Sequence, residues 1–165
     1  MPPLVVAAVG YNIVDGYDKW HNQRPGEAVS APAGEWVEYA DGRLRLQSLE
    51  EVDGLTDHAG RPVELPSAVR VWQAVIDIDA PAEAPLEVCE IRLQDTAGDT
   101  YSPNPAELAD ADIESFYGCL RPFDAPETGP YTVTATFLTP VVEVSGIRVT
   151  VGTELPRYVW LTAPD

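Results

Sequence analysis

The chain has 165 residues, 45% hydrophobic and 22% charged, a balance that fits one folded domain and excludes wholesale disorder. Ten Lys and Arg stand against 27 Asp and Glu, a net charge of −17. Nucleic acid and anionic membrane surfaces, which attract basic patches, are thereby excluded as partners, whereas a cationic partner, a divalent metal or plain solubility fits the charge.

The first elements are not those of a folded core. Leu4 to Val14 is an apolar run shorter than the ~20 residues of a membrane span, and no basic segment precedes it as in a signal peptide. Tyr11 near its end and Tyr17 and Trp20 after it stand at interfacial positions, and then comes a Pro/Gly-containing polar stretch over 25–34. Residues 1–34 therefore read as the outer half of a membrane anchor with a flexible tether. The alternative is a helix or strand that docks on the domain.

From residue 35 the pattern changes to a period of two, and residues 35–165 read as one β domain. Glu35–Ala40 and Arg43–Leu49 flank Asp41-Gly42, which predicts a hairpin whose two turn residues take positive φ. Val69–Asp79 is apolar on both parities, as a central strand covered on both faces requires. In the next strand Cys89, Ile91 and Leu93 share the inward face; Asp95–Asp99 form a loop, and Thr100-Tyr101 begin a short return.

Asn104, Pro105 and Glu107 supply a cap, a first-turn proline and a capping-box acid, which predicts one short helix ending before Gly118. Cys119 follows at once. Two cysteines permit one disulfide in an oxidising compartment, although two buried thiols in a reducing one would give the same count. If Cys89 and Cys119 pair, the insertion is held against the sheet.

Tyr131–Phe137, Gly146–Val151 and Arg157–Leu161 complete the pattern. Val133, Ala135 and Phe137 are expected in the core and Thr132, Thr134 and Thr136 on the exposed face. The fold expected is all-β, an antiparallel immunoglobulin-like sandwich of about seven to eight strands with one short helical insertion.

Trp36 in its strand, Arg43-Leu44-Arg45-Leu46, the Val/Ile-rich strand at 69–79, Cys89, the stretch Asp95 to Tyr101, Cys119 and a strand bounded by Pro140 occur in a familiar order. Over residues 35–162 the chain resembles the telokin-like, immunoglobulin-like extracellular domains of unknown function of bacterial lipoproteins and membrane-anchored secreted proteins. The resemblance implies an extracytoplasmic sandwich and brings no catalytic residues with it. No lipobox cysteine occurs near the start, a departure from the lipoprotein members that favours a transmembrane anchor.

Catalytic chemistry finds little to work with. The two histidines, His21 and His58, both fall in polar stretches, a Cys/His metal site lacks ligands, and no phosphate-binding glycine loop occurs. Carboxylates are plentiful. Asp77 and Asp79 share a strand face, Asp95 and Asp99 share a loop, and both pairs are calcium candidates without EF-hand spacing. A carboxylate-pair glycoside hydrolase is the enzymatic alternative, and it needs an aromatic cleft.

The function expected is therefore a non-enzymatic, cofactor-free, surface-tethered binding or sensing module, extracytoplasmic, whose partner is a protein or another cell-envelope component. Two surfaces are candidates: the threonine face of Thr132, Thr134 and Thr136, with Arg148 beside it if those strands pair, and the insertion over 102–118, where Phe116 and Tyr117 stay partly exposed. A calcium-stabilised structural or assembly domain, forming homodimers through a β-edge, is the other reading.

Overall fold

The computed structural model describes residues 23–164, apart from Ala82, Ser115 and Tyr117 and the side chain of Pro85. Among the described residues nine strands are formed: β1 (Glu27–Ala31), β2 (Val37–Tyr39), β3 (Gly42–Glu51), β4 (Val69–Asp79), β5 (Cys89–Asp95), β6 (Thr100–Tyr101), β7 (Tyr131–Pro140), β8 (Val144–Val151) and β9 (Arg157–Thr162). They make two sheets. One has the order β1-β9-β8-β5-β6 and the other β2-β3-β4-β7.

Alternating residues bind the sheets together. Leu44 and Leu46 of β3, Ile76 and Ile78 of β4 and Phe137 of β7 belong to the same buried cluster as Ile91, Leu93, Ile147, Val149, Val159 and Leu161 from the other sheet. A polar link crosses this core: the Tyr39 hydroxyl donates to the Arg157 carbonyl at 3.0 Å and accepts from the Val151 N–H at 3.1 Å. Both of its hydrogen-bonding roles are thus satisfied, which is what permits a buried phenol there.

The chain departs from the sequence-based expectation at four places. First, Glu27–Ala31, expected to be tether, pairs with β9 in parallel register, Glu27 beside Arg157 through Ala31 beside Leu161. The sandwich begins before residue 35, and its first sheet is mixed rather than antiparallel. Ala31 is buried, an anchor point that five small and polar residues conceal in sequence.

Second, the hairpin forms where it is expected, but Tyr39 pairs with Gly42, so the turn residues are Ala40 (φ 51°) and Asp41 (φ 59°). Gly42 is needed for room: a Cβ there would lie 2.8 Å from the Ala80 Cβ and 2.9 Å from a Leu86 methyl.

Third, no α-helix occurs among the described residues. The predicted helix is a three-residue 3₁₀ turn, Ala106–Leu108. Asn104 has φ 45°, and its side-chain oxygen accepts from the Thr136 N–H while its amide donates to the Glu114 carbonyl. The residue expected to cap a helix instead stitches the insertion to β7.

Fourth, β7 and β8 lie in different sheets, because the connection after Pro140 crosses the sandwich. The two-sided character of β4, by contrast, is realised. Its inner face joins the main core, and Val71 on its outer face packs with Leu108 and Ala111 under the insertion.

Candidate binding groove

Cys89 and Cys119 are joined by a disulfide with their Cα atoms 5.4 Å apart, within the ordinary range. Cys119 is fully buried, and the Tyr131 hydroxyl donates to its carbonyl at 2.6 Å. Two residues on, the Arg121 guanidinium lies 4.2 Å above the Tyr131 ring and donates to the carbonyls of Pro126, Gly129 and Ala80. The segment after the disulfide is thus held at several points. What it leaves outside is apolar: Leu120 is 48% exposed, and Phe123 reaches 107%.

Between this segment, Phe116 and the Val133–Thr134 stretch of β7 lies a groove of about 650 Å³. β7 is the last strand of its sheet. Its free side meets Asn104 at Thr136, whose carbonyl accepts from the Asn104 N–H at 2.6 Å. Backbone groups of an antiparallel strand point to the same side every second residue, so those of Thr134 and Thr132 face that side as well. No described residue bonds their backbones there. The groove therefore offers an apolar wall and an open strand edge together.

It does not end there. A hollow of about 520 Å³ shares Phe116, Gly118 and Leu120 with the groove and runs past Val88, itself 78% exposed. A third, of about 440 Å³, shares Val88, Cys89 and Glu90 and is lined also by Gln23, Pro25, Arg148 and Thr150. At this end the Arg148 Nε is buried and has no hydrogen-bond partner. Its cross-strand neighbour Arg92 is committed to Glu90 at 2.9 Å and to the Ser102 hydroxyl.

The two surfaces expected from sequence are dispersed. Thr132 is exposed and donates to Asp77 at 2.8 Å, Thr134 lines the groove, and Thr136 is 1% exposed beneath Asn104. Arg148, in the other sheet, joins none of them, so the composite threonine–arginine face does not form. Phe116 packs partly against the core and lines the groove with its remainder. Tyr117 lies outside the described residues. Leu120, Phe123 and Val88 were not singled out by sequence reasoning; an aromatic in the polar, proline-bounded loop Arg121-Pro122-Phe123-Asp124 was the available signal.

The carboxylates are occupied. Asp79 accepts from Arg43 at 2.8 and 3.0 Å, and Asp77 from Arg45 at 2.9 Å as well as from Thr132. Asp95 accepts from the N–H groups of Ala97 and Asp99 and from the Tyr101 hydroxyl. Burial opposes ionisation of Asp95, but these donors outweigh it and hold its carboxyl below the ordinary range. Asp99 contributes its N–H to that loop, so Asp95 and Asp99 meet through backbone and not as paired oxygens. No cluster of three or more His, Cys, Asp or Glu able to hold a metal occurs among the described residues. His58 is an exposed loop residue 3.1 Å from Asp112, and His21 lies outside the described residues.

No protein-family model and no curated protein matches the chain. Two solved structures are similar to it: a conserved hypothetical protein from Bacillus anthracis, at 10% identity over 74% of this chain and 90% of that one, with a TM-score of 0.48, and the secreted protein MPT63 of Mycobacterium tuberculosis, at 12% identity over 82% and 98%, with a TM-score of 0.46. Similarity of this degree carries no information about function.

Proposed function

We propose that the chain is an extracytoplasmic, non-catalytic binding module on an immunoglobulin-like sandwich, and that its contact surface is the groove beside β7. The exposed Phe123, with Leu120 beside it in the lining of the same groove, is the observation that carries this reading. Large exposed apolar side chains gathered at one groove mark an interaction site more often than singly scattered ones do. The open edge at Thr132 and Thr134 adds a chemistry: an extended segment can pair with it while its alternate side chains enter the apolar wall. An uncharged, β-branched peptide is therefore the class of ligand that fits. The disulfide supports an oxidising compartment outside the cytoplasm.

Titration with an extended Val/Ala-rich peptide tests the reading. Backbone amide shifts should concentrate at Thr132–Thr134, Leu120 and Phe123, and Phe123→Asp should weaken binding by roughly tenfold or more. Equal affinity of wild type and variant, or no saturable binding by either, would sink it.

A further inference from the structure

The apolar groove beside β7 also carries charge. Glu114 lines it from the insertion and Asp124 from the segment after Cys119, and both are exposed. Glu87 lines the adjoining hollow, which shares Phe116, Gly118 and Leu120 with the groove. None of these three carboxylates has a hydrogen-bond or ion-pair partner among the described residues. We infer that the partner of the groove is an extended protein segment with an uncharged stretch that pairs with β7 and with lysine or arginine residues beyond that stretch. The inference rests on the reading of the groove as a peptide-binding surface and adds the charge of the segment it selects.

Three observations support it. The first is the asymmetry of the charge. The cations that line the groove and the adjoining hollow, Arg121 and Arg92, are already held. Arg121 donates to the carbonyls of Pro126, Gly129 and Ala80 and lies over the Tyr131 ring, and Arg92 pairs with Glu90. The acids are left to face what enters. A lysine or arginine at the end of a bound segment gains an ion pair there without breaking one, whereas an acidic end meets like charge. The field reaches the strand itself: burial first and Glu87 second push up the pKa of Tyr131, the first residue of β7.

The second is placement. Glu114 is fixed through its backbone, whose carbonyl accepts from the Asn104 amide at 2.9 Å, and Asn104 is bonded in turn to Thr136 of β7. Asp124 follows Phe123 on the segment that Arg121 ties down at Pro126 and Gly129. Carboxylates thus stand on both the insertion and the segment after Cys119, apart from the strand edge at Thr132 and Thr134 that the uncharged stretch would pair with.

The third is the charge of the whole chain. At −17, a second copy of this chain is repelled from the groove, whereas a basic segment is drawn to it. Attraction of this kind depends on salt, because the screening length shortens from roughly 30 Å at 0.01 M ionic strength to roughly 3 Å at 1 M.

Val/Ala-rich peptides of one core sequence, flanked by lysine, by serine or by glutamate, test the inference on the full chain, with binding read from amide shifts at Leu120 and Phe123. The lysine-flanked peptide should bind roughly tenfold tighter than the serine-flanked one at about 0.01 M salt, the glutamate-flanked one should bind weakest, and the preference should vanish near 1 M. Glu87→Gln, Glu114→Gln and Asp124→Asn together should cut the preference to about twofold, while an unchanged affinity for the serine-flanked peptide shows that the groove is intact. A preference that survives in this variant would trace it to net charge and overturn the inference. Equal binding of the three peptides at low salt would also overturn it and leave the groove reading standing. If no peptide shifts Leu120 or Phe123, both readings fall. Shifts at Phe123 on dilution of the chain alone would assign the groove to a second copy in place of a basic partner.

Discussion

The Tyr131 hydroxyl donates a 2.6 Å hydrogen bond to the carbonyl of Cys119, so the first residue of β7 holds the second half-cystine. Both groups are buried, and the bond spans the segment that carries Leu120 and Phe123. Tyr131→Phe keeps the ring under Arg121 but leaves the Cys119 carbonyl unsatisfied. A buried acceptor without its donor costs about 1–3 kcal/mol. Urea unfolding of the variant should show a lower midpoint at unchanged slope, and an unchanged midpoint would mean that the carbonyl finds another donor.

The same residue fixes an alkaline limit. Burial, reinforced by Glu87 and opposed by Arg121, pushes the Tyr131 phenol up from 10.0 to about 12. A raised folded pKa means that the native state holds its proton when the unfolded chain has lost it, so the contribution of this group to stability is full below pH 10, declines above it and is lost as pH passes about 12. Tyr39 and Tyr101 are raised as well, both chiefly by burial, and add to the same decline. Thermal melts between pH 9 and pH 12 should fall for wild type and fall less steeply for Tyr131→Phe. Parallel curves would place the alkaline loss elsewhere.

Sequence reasoning reached the core of this fold and missed its surface, for a physical reason. Strands with one buried face announce themselves by alternation, as Cys89, Ile91 and Leu93 do, and β4 announces its two-sided burial through Val71. Edge and loop elements are set by partners far along the chain. Glu27–Ala31 is a strand because β9 offers it an edge, and Asn104 forgoes a helix cap because Thr136 offers its N–H. The candidate site is of this second kind. Its walls come from β7, the segment after Cys119 and the turn before β5, and no local pattern relates Phe123 to Val133 or Val88.

Removing the disulfide should both destabilise the domain and loosen the groove. The bridge spans a sequence separation of 30. Loop-closure entropy for that span corresponds to about 3.6 kcal/mol, less any native strain. Cys89→Ala with Cys119→Ala should lower the unfolding free energy by roughly 3 kcal/mol and raise hydrogen exchange over residues 118–124. A loss of stability with unchanged exchange there would show that Tyr131 and Arg121 hold the segment alone.

Acid should act through the loop of Asp95. Its donors depress its carboxyl below the ordinary 3.8, and Asp57 is depressed likewise, chiefly by the Arg61 N–H and guanidinium. A lowered folded pKa contributes stability that is present above pH 3.8 and is lost as pH falls through the folded value. Asp95→Asn, which keeps the shape and removes the charge, should flatten the acid side of a pH–stability curve. An unaltered acid limb would rule Asp95 out as its source.

Asp77 offers the sharpest separation between an ion-paired face and a calcium site. It is 7% exposed, accepts from Arg45 and Thr132, and stands beside the Asp79–Arg43 pair; the guanidiniums of Arg43 and Arg45 each lie 4.8 Å from the Trp36 ring. A cation entering here would have to displace two arginines already seated on an aromatic ring. Removing the carboxylate instead strands Arg45 and the Thr132 hydroxyl, at a cost of about 2 kcal/mol for so partly exposed an arginine. Asp77→Ala should therefore lower the melting temperature by several degrees, while millimolar calcium or chelator should leave the wild-type melt unmoved. A calcium-dependent rise in wild type that Asp77→Ala abolishes would reverse the assignment and make this face a metal site.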